Sequence, residues 1–181
     1  MNTPESTLKT GLWIFLLTAA GILTTFALAC ATPVAAFAAL AALYMRRNAA
    51  IALMAAVWGA GQIIGFGFLH FPHTAATFAW PGALLVCSLM TLEGGFLVTR
   101  FSAGPLVRAT IVLLATMVVF KVAIYLFGTV LGGNASAFKP VYVFKYLWTN
   151  ALTFIVLLGL HRIGIAIGLV ARGAGQGRAF T

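Results

Sequence analysis

The sequence predicts an all-α integral membrane protein of six transmembrane helices, and three observations carry that expectation. Of 181 residues, 62% are hydrophobic and only 7% are charged, whereas a soluble domain has roughly a quarter charged. Mean hydropathy is +1.08. Apolar runs recur from residue 11 to residue 170. So little polar surface cannot cover a particle of this size in water, which makes lipid the solvent. A spanning helix needs about 20 residues, so a chain of 181 residues, at roughly 28 per helix and loop, provides about six spans. They form one transmembrane domain over 1–181.

The first span is expected over 11–30, after Lys9. It closes on Ala27-Leu28-Ala29-Cys30, whose small residues resemble a signal cleavage site. Ala27 stands where a lipobox prefers Leu, and the apolar stretch is long for a signal peptide, so the segment reads as a retained helix. Thr32-Pro33 then breaks the chain. The second span, 32–45, is short: Val34 to Met45 rises only about 18 Å against a hydrocarbon core of about 30 Å. It must tilt little or thin the bilayer. The third span, 49–69, stops at His70-Phe71-Pro72-His73, because a proline cannot continue the helix. Residues 70–80 read as a loop, and Pro81 as the first-turn proline of a fourth span over 81–99. The fifth, 106–131, ends in Gly132-Gly133-Asn134. The sixth, 141–170, is long enough to require tilt.

Arg46, Arg47, Arg100, Arg108, Arg172 and Arg178 fall on one side of this arrangement, and Lys139 lies in a loop on the other. The positive-inside rule therefore puts both termini in the cytoplasm. The net charge of +9 comes from 11 Lys and Arg against Glu5 and Glu93. The basic residues cluster at the ends of apolar runs, where they meet lipid headgroups, so membrane lipid is a partner and nucleic acid is not. Asn134-Ala135-Ser136 fits a glycosylation acceptor, a pattern too short to carry weight alone.

Polar side chains within lipid are costly, so their depths are informative. At 1.5 Å per residue, Cys87 lies about 9 Å, Gln62 about 11 Å, Lys121 about 15 Å and Asn150 about 14 Å below the outer ends of their helices. A shared layer of this kind suits a cavity open to the outside. Above it, His70, His73, Trp80, Tyr142, Lys145, Tyr146 and Trp148 combine aromatic faces with hydrogen-bonding tips, a rim that suits a large amphipathic ligand. Each group also has a plainer use. The aromatic residues can form an interfacial belt, Lys139 and Lys145 can snorkel, Gln62 and Asn150 can bond helix to helix, and Cys87 can be a small apolar filler. Glu93 is placed to pair with Arg100 or Arg108 at the inner face. With no intramembrane carboxylate pair, HExxH, GxSxG or Walker A sequence, the chain is not expected to hydrolyse ATP itself or to be an enzyme of those classes.

Six short-looped helices with an outward cavity and no energy source resemble the substrate-binding S-component of an energy-coupling factor (ECF) transporter. The segment Trp58-Gly59-Ala60-Gly61-Gln62-Ile63-Ile64-Gly65-Phe66-Gly67-Phe68-Leu69-His70-Phe71-Pro72, with Trp80 and Cys87, is similar to the BtuM-type, solitary cobalamin S-components. The resemblance implies an S-component bundle in the bacterial inner membrane that captures cobalamin and mediates its uptake. Cobalamin would be bound substrate, with no resident cofactor. It implies that Cys87, as a soft thiolate, ligates the cobalt, with slow decyanation of cyanocobalamin as a side activity. Gln62, His70, Trp80, Lys121, Tyr142, Lys145 and Asn150 would complete the site, with His70 a substitute donor. An ECF module of coupling protein and ATPases would be the partner, docked through small residues of the first helix such as Ala19, Gly21, Ala27 and Ala29; a solitary component would need none. Two other classes stay open: an exosortase-like thiol transpeptidase using Cys87 or Cys30 with His70 or His73, which needs a base within about 3 Å of sulfur, and a non-catalytic subunit of a membrane complex.

Overall fold

The computed structural model describes residues 4–27, 32–71, 75–101, 104–132 and 138–170. Cys30, His73, Asn134, Arg172 and Arg178, on which several expectations fall, lie outside them. The described residues form six α-helices and no strand: α1 (Pro4–Ala27), α2 (Val34–Tyr44), α3 (Arg47–Gln62), α4 (Ala75–Thr99), α5 (Pro105–Leu131) and α6 (Pro140–Ala166). Helix α3 continues as a π-helical segment over Ile63–Phe68. Among the described residues, four helices are long and apolar enough to cross a membrane: α3 with its π extension, α4, α5 and α6. The chain is a multi-pass membrane protein.

Chain chemistry explains the helix ends. Pro105 and Pro140 open α5 and α6 at the first helical position, where the missing N–H has no intrahelical partner to lose. Helix α6 closes at Ala166, short of the expected residue 170. Gly168 turns left-handed at φ 73°, its N–H donates to the Ile165 carbonyl, and the Leu169 N–H donates to the Gly164 carbonyl. This Schellman wrap needs a residue without Cβ strain at that position.

The short second helix is buried along its middle by its neighbours. Ala35, Ala36, Phe37, Ala38, Ala39, Leu40 and Ala41 are all fully buried, and α2 packs against α3, α4, α5 and α6. Its length of about 16 Å need not match the bilayer, because neighbouring helices form its solvent. Alanines on every side let those helices approach closely. Gly95 of α4 shows how closely: a Cβ there would sit 3.0 Å from the Ala42 Cβ and 3.1 Å from the Thr116 Cγ2. Helix α1 joins the bundle through Trp13, Leu17 and Gly21, spaced one helical turn apart and buried, with Gly21 against Phe37 and Val57. Gly21 is thus used within the chain, where the sequence offered it for docking.

Helix α4 starts six residues before the expected Pro81, so the segment read as a loop is partly helix. Proline inside a helix removes one amide donor and crowds the preceding turn. The helix runs on through Pro81, and a side chain from α3 bonds to it there: the Trp58 indole N–H donates to the Pro81 carbonyl at 2.9 Å.

Candidate functional site

The end of the bundle opposite Arg46 and Arg47 carries most of the sequence-selected residues, in two groups. The first belongs to α3 and α4. Gln62 is half-buried and donates weakly, at 3.4 Å, to the Trp58 carbonyl. The π segment begins immediately after it. π-Helical turns widen the hydrogen-bond ring and are enriched at functional positions; this one comes from Gly-rich Ile63-Ile64-Gly65-Phe66-Gly67-Phe68, where little side-chain bulk opposes the wider turn. It ends with the Leu69 N–H on the Ile64 carbonyl and the Phe71 N–H on the Gly65 carbonyl. Phe71 folds back over Gly65, so closely that a Cβ there would come within 2.7 Å of the ring. Between these bonds His70 takes φ 52°, a left-handed conformation uncommon outside glycine, with its side chain exposed. Phe66 stacks on Phe78 of α4 at 5.2 Å, tying the π segment to the start of that helix.

On α4, Trp80 is half-buried and Cys87 fully buried. Seven residues apart, they share one helix face about 10 Å apart along the axis. Buried Ala83 lies between them and buried Thr91 lies one turn beyond Cys87. The Thr91 hydroxyl donates to the Cys87 carbonyl at 2.7 Å, which occupies the hydroxyl within the helix and leaves the thiol as the distinctive chemistry of this face. The Cys87 thiol is sealed while His70 faces outward, so the two are not assembled as a nucleophile and base. No cluster of three or more His, Cys, Asp or Glu able to hold a metal ion occurs among the described residues.

The second group belongs to α5 and α6. Lys121 Nζ sits 4.7 Å from the Tyr146 ring centroid and 5.4 Å from that of Phe138, within cation–π range. Tyr146 donates its hydroxyl to the Met117 carbonyl at 3.2 Å, and Phe138 meets Tyr125 edge-on at 5.2 Å. These residues line a cavity of about 500 Å³ between the two helices, walled otherwise by aliphatic side chains and Met117. The contacts also correct the expected common depth. Phe138, two residues before α6, lies beside Tyr125, so α6 starts well below the end of α5 at Leu131. Depths measured from each helix's own end do not share an origin. Lys121 reaches the level where α6 begins, and Asn150 lies a turn below Tyr146.

Asn150 is 1% exposed and works as a bond between helices. Its Oδ1 accepts the Ala36 N–H at 3.1 Å, and its Nδ2 donates to the Tyr146 carbonyl at 2.9 Å. It thereby ties α6 to the first turn of α2, sharing the Ala36 N–H with the Pro33 carbonyl, which accepts it at 3.0 Å. Tyr142, Lys145 and Trp148 are exposed along the first turns of α6.

At the opposite end, Glu93 takes Arg47 as its partner, where sequence position favoured Arg100 or Arg108. Arg47 Nη2 lies 2.9 Å and Nε 3.0 Å from Glu93 Oε1. Helices α3 and α4 run antiparallel, which brings the first residue of one beside the last turns of the other. Sequence reading also passed over His161 of α6. It is 5% exposed, lies 4.2 Å from the Tyr44 ring and 6.0 Å from that of Trp13, and its Nδ1 has no hydrogen-bond partner. Its signal in the sequence was a histidine next to Arg162 after the apolar run of α6. Scanned against protein-family models, curated proteins and solved structures, the chain finds no match.

Proposed function

We propose that this chain is the substrate-capturing component of a vitamin uptake system in a bacterial inner membrane, with six spans and both termini cytoplasmic. Cobalamin is the substrate and Cys87 the ligand to its cobalt. The supporting observation is the shared face of α4, with the Trp80 ring toward the rim and a soft thiol two turns further in. A corrin ring entering from that rim meets aromatic surface first, then a thiol suited to axial ligation. His70 and Gln62 are the polar groups nearest the α3 side of this route, and Tyr142 and Lys145 stand on the α6 side. The sealed state of Cys87 requires the rim to part as substrate enters, and the π segment is the irregular backbone available for that movement.

Ligation of cyanocobalamin by Cys87 is a substitution at cobalt. The cobalt–cyanide bond breaks, a cobalt–sulfur bond forms, and the thiol proton leaves with cyanide as hydrogen cyanide. No electron is transferred. The test is the visible spectrum of cobalamin bound to the purified protein, compared among wild type, Cys87→Ala and Cys30→Ala. A spectral change present in wild type and Cys30→Ala and lost in Cys87→Ala is expected. Identical spectra in all three, or no corrinoid binding by wild type, would overturn the reading. Whether an ECF module is the partner is read separately, by uptake in cells with and without one.

A further inference from the structure

We propose that Trp58 is a positioning residue for the candidate cobalamin site, setting Trp80 of α4 against Gln62 of α3. The inference rests on the reading that the Trp80–Cys87 face takes the corrin ring. Trp58 belongs to α3, one helical turn before Gln62, and is half-buried. It makes two bonds toward the residues of that site. Its indole N–H donates to the Pro81 carbonyl at 2.9 Å, and Pro81 is the residue next to Trp80 in the chain. Its backbone carbonyl accepts the Gln62 side-chain amide at 3.4 Å. One residue thus links the polar group of α3 to the aromatic group of α4, through two hydrogen bonds and a peptide bond.

The sequence of α4 explains why such a link is needed. Pro81 lies inside the helix and has no amide hydrogen, so the turn that carries Trp80 has one fewer intrahelical donor to hold it. Gly82 follows, with nothing within 4 Å of the place a Cβ would take, and packing at that position does not replace the missing bond. The indole of Trp58 provides from a neighbouring helix the restraint that proline removes from its own.

The bond stands between the residues a substrate meets first and the buried thiol. Cys87 lies six residues beyond Pro81, about 9 Å further along the axis. Toward the rim, α3 becomes the π segment, joined to α4 by the stack of Phe66 on Phe78. With Trp58 bonded, the rim can part through the π segment while Trp80 and Gln62 keep their places beside the entering ring.

Cobalamin titration of the purified full chain tests the assignment. Trp58→Phe keeps an aromatic ring and removes the donor. It is expected to weaken cobalamin binding about fivefold, the scale of one hydrogen bond, while the visible spectrum of the saturated complex stays that of wild type because Cys87 is untouched. Trp58→Phe is expected to have no further effect in a Trp80→Ala background, since a residue that acts through another is not additive with it. Pro81→Ala restores the amide donor to α4, so in that background Trp58→Phe should weaken binding by less than about twofold. Thr116→Val, which loses an interhelical bond elsewhere in the bundle, should bind as wild type does. Unchanged affinity in Trp58→Phe, additive losses with Trp80→Ala, an undiminished loss in the Pro81→Ala background, or an equal loss in Thr116→Val would each overturn the proposal. A wild type that binds no corrinoid overturns the cobalamin reading and this inference with it, whereas a wild type that binds, with Trp58→Phe equal to it, overturns this inference alone.

Discussion

At the scale of single residues, the polar groups inside this bundle divide into those that hold helices together and those with chemistry to spare. Asn150 and Thr116 are of the first kind, because both bond to the backbone of α2: Asn150 to the Ala36 N–H, and the Thr116 hydroxyl to the Ala35 carbonyl at 3.1 Å, shared with the Leu113 carbonyl. Replacing Asn150 by Leu removes a buried hydrogen bond between α6 and α2 and is expected to cost about 1 kcal/mol. Thr116→Val, close in shape, should cost about 0.6 kcal/mol, the average for such bonds in membranes. Unfolding midpoints in detergent should therefore fall in the order wild type, Thr116→Val, Asn150→Leu. Glu93→Gln makes a useful contrast. Its pair with Arg47 is 41% and 68% exposed, and exposed pairs contribute about 0–1 kcal/mol, so its midpoint should stay near that of wild type. A fall as large as that of Asn150→Leu would show that the pair is more shielded than its exposure implies. Cys87 belongs to the second kind, as a buried free thiol.

At the scale of elements, α2 is the unusual member. Apolar on every side and only 11 residues long, it has the pattern of a helix buried all round, and its alanines set the spacing of the helices around it. That spacing makes a sharp prediction for two glycines of the same neighbouring helix. Gly95→Ala places a methyl against Ala42 and Thr116 at distances that force them apart, a kind of overpacking that costs about 1–3 kcal/mol. Gly82→Ala places the same methyl where nothing lies within 4 Å, and should stabilise the helix by up to about 1 kcal/mol. Opposite shifts in unfolding midpoint are expected; equal shifts would mean that α2 and α4 are not packed so closely in the bilayer. The other irregular element, the π segment after Gln62, gains from glycine in a different way. Gly65 admits the Phe71 ring, and Gly65→Leu is expected to displace Phe71, which proteolysis near residue 71 would report as faster cleavage in the ligand-free protein.

At the scale of the whole molecule, the basic residues of the α2–α3 turn and the α4–α5 connection, Arg46, Arg47 and Arg100, mark one end of the bundle, and exposed Lys139 and Lys145 mark the other. If the Arg-rich end is cytoplasmic, reporters fused to the N- and C-termini will both be active inside the cell. An external C-terminus would turn the proposed rim inward and end the case for capture from outside. The sequence by itself determined the solvent, because so few charged residues can only be stable in lipid. It also determined the helical breaks at Pro33, His70 and Gly132, since proline and glycine act through local backbone geometry, whereas Pro105 and Pro140 proved to open α5 and α6 one residue before the expected starts. Tertiary structure alone decided the rest. It made α2 the hub, because burial of a short apolar helix depends on neighbours that its own sequence does not specify. It carried α4 back past Pro81 to Ala75, with Trp58 of another helix bonded to the Pro81 carbonyl. It gave Glu93 to Arg47 through the antiparallel register of α3 and α4, and it staggered α5 against α6, so that Lys121 meets Phe138 while Asn150 turns to α2. Depth along a helix is local and can be counted from sequence, but which groups share a level depends on how helices slide past one another, and that is fixed only by packing.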